Sequence, residues 1–180
     1  MSPAADNLSA SQQSVKAESP ATGEKSDFLG ADRYCTNELS FVLPPGLKDK
    51  THHVFTITDS GPSPFTLVIS HSPIEAEDTL EEISKRLLLE LGRSLQQFRA
   101  IQQPAAVEVA GQHGCRLEYS WMQQGVRMQQ KQVCLLHEIP GKRQLIQIAG
   151  TSSVQGDQGL DWALRFEQIV ATVNLRQPEE

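Results

Sequence analysis

Three short runs near the start of the apolar part of the chain alternate large apolar residues with small or polar ones. Glu38-Leu-Ser-Phe-Val-Leu43 closes on Pro44-Pro-Gly46, and His52-His-Val-Phe-Thr-Ile-Thr58 closes on Asp59-Ser-Gly-Pro62. Phe65-Thr-Leu-Val-Ile-Ser70 stops short of Pro73. β-Branched and aromatic residues at period two, between Gly and Pro boundaries, predict strands. The period then changes. Leu80, Ile83, Leu87, Leu91 and Leu95 recur at helical spacing, behind a capping box made by Thr79 and Glu82. Glu81 with Lys85, and Glu82 with Arg86, stand four apart on the wetter side. Strand patterns return near Ala106–Val109, Cys115–Met122, Val126–Leu136 and Leu145–Gly150, separated by Gly111-Gln-His-Gly114, Gln124-Gly125 and Pro140-Gly141. Such short connections favour antiparallel hairpins. A last helix is predicted from about Gly159 to Val173, with Trp162, Phe166, Ile169, Val170 and Val173 on its apolar face.

The order βββ-α-ββββ-α predicts an α+β fold with a largely antiparallel sheet and helices packed on one face, spanning residues 33–175. Residues 1–32 are rich in Ser, Ala, Gln and charge, with sparse apolar positions, and predict a disordered N-terminal tail. Residues 176–180 are a short C-terminal tail.

Parity then separates the two faces of the sheet. Leu39, Phe41 and Leu43, Phe55 and Ile57, and Phe65, Leu67 and Ile69 share one face, which is expected to lie under the helices. Val133 and Leu135 suit the same side. The other face receives Ser40 and Val42, His52, Val54, Thr56 and Thr58, Thr66, Val68 and Ser70, then Met128, Gln130, Gln132 and Cys134. A solvated sheet face ordinarily carries Lys, Glu and Arg, and here they are nearly missing. Val and Thr are good strand residues, and a few exposed ones carry no message. A binding surface or dimer interface, where charge is depleted, gives the same pattern.

Composition narrows the partners. The chain has 180 residues with 38% apolar and 21% charged, and a net charge of −6 without a run of Lys or Arg. Nucleic acid and anionic membrane surfaces both need a clustered positive field, so neither is expected. The first residues lack the basic start and apolar core of a signal peptide, and Cys35, Cys115 and Cys134 lack CxxC spacing. Reduced thiols in the cytoplasm are the expectation.

Residue patterns that carry chemistry are few. There is no GxGxxG or Walker loop, no HExxH and no GxSxG. His52, His53 and His71 are the nearest approach to a metal cluster, but neighbours on a strand point to opposite faces. Cys134 and His137 have opposite parity, which keeps a thiol and its base apart. Glu118 and Asp161 have no carboxylate partner visible in sequence. No catalytic residue, metal or cofactor is assigned, and the chain is not expected to be an enzyme.

The stretches Leu39-Ser-Phe-Val-Leu-Pro44, Asp49-Lys-Thr-His-His-Val-Phe55, Leu67-Val-Ile-Ser70, Leu95-Gln-Gln-Phe98, Glu118-Tyr-Ser-Trp121 and Lys131-Gln-Val-Cys134 occur in an order that resembles the DcrB-like (Mog1/PsbP-like) domain. Within that group the chain resembles the Eag chaperones of type VI secretion effectors. The resemblance runs from Tyr34 to Val173. It implies a curved sheet and a cytoplasmic homodimer. It also implies a partner, the N-terminal transmembrane region of a PAAR/Rhs effector, which is shielded before loading onto the VgrG spike. Contact with VgrG would be indirect, through the effector. By position, the resemblance carries the lining to His52, Val54, Val68 and Gln132, where His52 replaces an expected aliphatic residue. Joined to the parity argument, the expected partner-binding face is His52, Val54, Thr56, Thr66, Val68, Met128, Gln130 and Gln132. The alternative is a DcrB-like envelope or small-ligand-binding protein without catalytic activity.

Overall fold

Alternation becomes strand pairing in the computed structural model, which describes residues 33–35, 39–42, 47, 49–139, 142–154 and 158–175. The expected tails at 1–32 and 176–180, and Leu43, lie outside the described residues. The chain divides into two units, Met1–Lys48 and Asp49–Glu180.

In the first unit, β1 (Arg33–Cys35) pairs antiparallel with β2 (Ser40–Val42), placing Tyr34 opposite Phe41 with ring centroids 5.3 Å apart. Leu39 and Phe41 are exposed, so the expectation that they join the main core is not met. The reason is topological: β2 belongs to a two-stranded sheet of its own. β1 carried no period long enough to be read in sequence.

The second unit is an antiparallel, curved seven-stranded sheet with two helices, an α+β fold as expected. Its strands are β3 (His52–Thr56), β4 (Phe65–Pro73), β5 (Arg99–Ala100), β6 (Ala105–Val109), β7 (Gln112–Gln123), β8 (Val126–Ile139) and β9 (Lys142–Ser153). The order across the sheet is β3-β4-β9-β8-β7-β5, with β6 also pairing β7. The β7–β8 hairpin turns on Gln124 and Gly125, with φ of 50° and 80°. That pair of left-handed residues matches the strand twist, and glycine meets it without steric cost. The β6–β7 turn falls on Ala110-Gly111, earlier than expected. Gly114 is therefore a strand residue, small because a Cβ there would meet Leu135 Cδ2 at 2.5 Å and the Cys134 carbonyl at 2.9 Å.

Helix α1 (Leu80–Ser94) begins at the predicted capping box: Thr79 accepts from the Glu82 amide, and Glu82 reaches back to the Thr79 amide. Glu81 pairs with Lys85 at 2.6 Å. Arg86 pairs with Asp78, not with Glu82 as expected, because Glu82 is committed to the cap. Helix α2 (Gln158–Ala171) presents Trp162, Phe166, Ile169 and Val170 to the sheet.

Each helix has a face of its own, so the expectation that both pack on one face is corrected for α1. Phe65, Leu67, Val133, Leu135, Ile146 and Ile148 pack beneath Phe166 and Val170 of α2. On the reverse side, Cys115, Leu117, Tyr119, Trp121, Cys134 and Leu145 pack with Ile83 of α1. Phe65 stacks on Trp162 at 4.8 Å. Glu167 binds Arg116 at 2.7 Å and Lys131 at 3.0 Å, fastening α2 to β7 and β8. Phe55 and Ile57 were expected in the core but stay exposed, Phe55 by 54%, because β3 is an edge strand and Ile57 lies just past its end.

Candidate functional site

The α1 side of the sheet is the candidate site. Strand register arranges its residues in straight rows. One row is Val54, Val68, Ala149, Gln132 and Leu117, crossing β3, β4, β9, β8 and β7. The next is Thr56, Thr66, Thr151, Gln130 and Tyr119, and on the other flank lie His52, Ser70, Gln147, Cys134 and Cys115. Met128 follows, paired with Ser153 and Trp121. All eight residues of the expected partner-binding face are thus brought to one side. Gln147, Ala149 and Thr151 belong with them and were missed, although the period-two pattern of β9 contains them.

No Asp, Glu, Lys or Arg stands in these rows. The reverse side carries Arg116 and Glu118 on β7 and Arg127 and Lys131 on β8. On β7 and β8 the lack of charge thus belongs to one side, whereas β3 and β4 carry no formal charge on either side. The ion pair Glu138–Arg143 marks the far end of the α1 side on β8 and β9.

Burial divides the face. Toward β7 and β8 it is closed by α1, and Leu117 and Tyr119 are fully buried. Toward β3 it opens: Val68, Ala149, Thr66, Thr151 and Gln147 are half-buried, and Val54 is 58% exposed. His52 and Thr56 are exposed on the same edge strand.

A polar network runs along the seam between the closed and open parts. Gln132 Nε2 donates to Gln147 Oε1 at 2.7 Å and to Cys134 Sγ at 3.4 Å. Its Oε1 accepts from Gln130 Nε2 at 3.0 Å and from Tyr119 Oη at 3.3 Å. Thr151 Oγ1 donates to Gln130 Oε1 at 2.9 Å. Gln132 is only 3% exposed, so it stands on the expected face but beneath its surface, with its amide fully engaged. Gln130, Gln147 and Thr151 are the half-exposed members of the network. Burial pushes the Cys134 thiol up to about 12, against an opposing hydrogen bond from Gln132, and burial also raises the Tyr119 hydroxyl. A thiol held in its protonated form is a poor nucleophile.

The other chemical candidates are kept apart. His52 faces the α1 side, whereas His53 and His71 meet edge-on at 6.4 Å on the reverse side. Cys134 and His137 lie on opposite faces, as their parity requires. Glu118 accepts from Gln102 and Gln129 on the reverse side. Asp161 is exposed in the first turn of α2. Among the described residues, no three His, Cys, Asp or Glu side chains are grouped to hold a metal ion. No helix among them is long and apolar enough to cross a membrane.

An antiparallel sheet, a helix on each side and one half-open, uncharged face define an α+β domain built around a surface. Residues 38–171 match the DcrB family, and the chain belongs to it. The fold is shared with PA94 of Pseudomonas aeruginosa, a protein of unknown function. That likeness covers 81% of this chain and 96% of PA94, at 20% identity and a TM-score of 0.60. It is shared also with LpqN of Mycobacterium tuberculosis, a protein involved in cell envelope biogenesis. There the coverage is 67% of each chain, at 16% identity and a TM-score of 0.53. No curated protein matches the chain in sequence.

Proposed function

We propose that this DcrB-family protein is a cytoplasmic, non-enzymatic chaperone and adaptor of the Eag type. It binds the N-terminal transmembrane region of a PAAR/Rhs effector of a type VI secretion system and works as a homodimer. The observation that carries the reading is the half-open, half-apolar stretch formed by Val54, Val68, Ala149, Thr66, Thr151 and Gln147 of β3, β4 and β9, in which no formal charge stands. The ion pair on this side of the sheet, Glu138 with Arg143, lies at the far end of β8 and β9. A transmembrane helix in water exposes a large apolar surface and aggregates. Val54, Val68, Ala149 and Met128 offer apolar cover, at about 1.5–3 kcal/mol for each large side chain fully buried. Gln130, Gln147 and Thr151 offer hydrogen bonds to the small and polar residues that transmembrane helices carry at their interfaces. His52 and Thr56 border this surface on the edge strand. Shielding the effector until it is loaded onto the VgrG spike follows from the same contacts.

The test is a pull-down of an effector's transmembrane region with thermal melts of each variant alongside. Val54→Arg and Val68→Glu place an uncompensated charge against a desolvated helix, which costs several kcal/mol. Both are expected to lose the effector, and Val54→Arg is expected to melt like the parent because Val54 is exposed. Retention of the effector by a normally folded Val54→Arg protein would refute the assignment of this face.

A further inference from the structure

The reverse side of the sheet holds a second site, away from the surface described above. Where α2 ends at Ala171, the far end of the sheet is left uncovered, and a groove of about 390 Å³ opens there. Its floor is Ile146 and Ile148 of β9, and its wall is Val173, which follows the helix. The end of the groove is polar. His137 and Gln144 are direct partners across β8 and β9, and His71 stands on β4 beside them.

His137 is 7% exposed and Gln144 8% exposed, so both are more than nine-tenths buried. Neither side chain has a hydrogen-bond partner among the described residues, and both line the groove. Buried polar groups are satisfied in the great majority of cases, and leaving one unmade is costly. The two side chains are largely buried, yet their polar atoms open into the groove and not into the core. A molecule lying there meets two unpaired polar groups side by side at its end.

We infer that this groove binds a small aliphatic amphiphile with an uncharged hydroxyl or carboxamide head. The head would lie between His137 and Gln144, and the chain would run over Ile146 and Ile148 toward Val173. Imidazole and carboxamide each offer a donor and an acceptor, which matches a head group that is also both. No Asp, Glu, Lys or Arg lines the groove. The last turn of α2 has no basic residue, so the carbonyl end of the helix stays uncompensated and disfavours an anion. A cation would be desolvated without a counter-charge. The volume falls within the range of small-molecule pockets.

Titration calorimetry of the full chain with octanamide, 1-octanol, octanoate and octyltrimethylammonium tests the assignment. Octanamide and 1-octanol are expected to bind saturably at one site per chain, at least about tenfold more tightly than either charged probe. His137→Phe and Gln144→Leu are each expected to weaken octanamide by about tenfold, the loss of a good hydrogen bond. Val173→Trp fills the groove without touching the polar pair and is expected to abolish binding. It carries the test together with Gln144→Leu should His137→Phe fail to fold. Val54→Arg, on the opposite face, is expected to bind octanamide like the parent. Four outcomes overturn the inference: no saturable binding by any probe, equal affinity for charged and uncharged heads, unchanged binding in folded Gln144→Leu and Val173→Trp, or loss of binding in Val54→Arg.

Discussion

Gln132 and Val54 share a row, yet substitution should separate them sharply. Gln132 holds four hydrogen bonds in a buried network, and Val54 stands at an exposed edge. Gln132→Ala removes one partner from Tyr119 and Gln147 without replacing it. Urea unfolding is expected to show a loss of about 1–3 kcal/mol, whereas Val54→Arg should lie within about 0.5 kcal/mol of the parent. Cys134 gives a prediction in pH. Its thiol ionises near the ordinary 9.0 when unfolded but only near about 12 when folded. Folding therefore keeps a proton that the unfolded chain releases. The contribution is complete below pH 9 and is lost as pH climbs toward 12, and buried Tyr119 acts in the same sense. Stability measured from pH 8 to 11 should fall, and Cys134→Val should flatten that fall. The row itself was legible, because period two fixes which residues share a face. The burial of Gln132 was not, because it depends on α1 and on a hydroxyl from the neighbouring strand.

At the scale of elements, the sequence shows a helix by its apolar stripe but not which side of a sheet will receive it. Both stripes, Leu80 to Leu95 and Trp162 to Val173, read alike. What separates their destinations is the sheet. On the α2 side, Gly150 leaves a hollow, and a Cβ there would meet Phe166 Cδ2 at 2.5 Å and Phe65 Cε2 at 2.9 Å. Two aromatic rings settle into the space, and Trp162 stacks on one of them. Gly150→Ala should cost about 1–3 kcal/mol by overpacking and should disturb the near-ultraviolet circular dichroism of Trp162, with α1 unaffected. The same local logic explains the misplaced core residues. Phe55 and Ile57 have the correct parity, but parity says nothing about lateral position, and β3 lies at an edge beyond the cover of α2. Contacts of short sequence separation, such as the capping box at Thr79, were read correctly because both partners lie within one turn.

At the scale of the molecule, the proposed function carries a stoichiometry. As a homodimer, the chain should sediment as a single species of twice its monomer mass at micromolar concentration, and a monomer alone would contradict the proposal. The seating of α1 sets the capacity of each protomer. Five strands, β3 through β7 in sheet order, span four gaps of about 4.8 Å, or roughly 19 Å. An α-helix with its side chains is about 10 Å across, so this face is two helices wide. α1 already lies over β7 and β8. Native mass spectrometry with a single transmembrane peptide should therefore find one peptide per protomer and no second. The width left over β3, β4 and β9 is a single berth, and the helix beside it is the protein's own, so under the proposed function a visiting helix would complete a two-helix layer of which the chain itself supplies the first half.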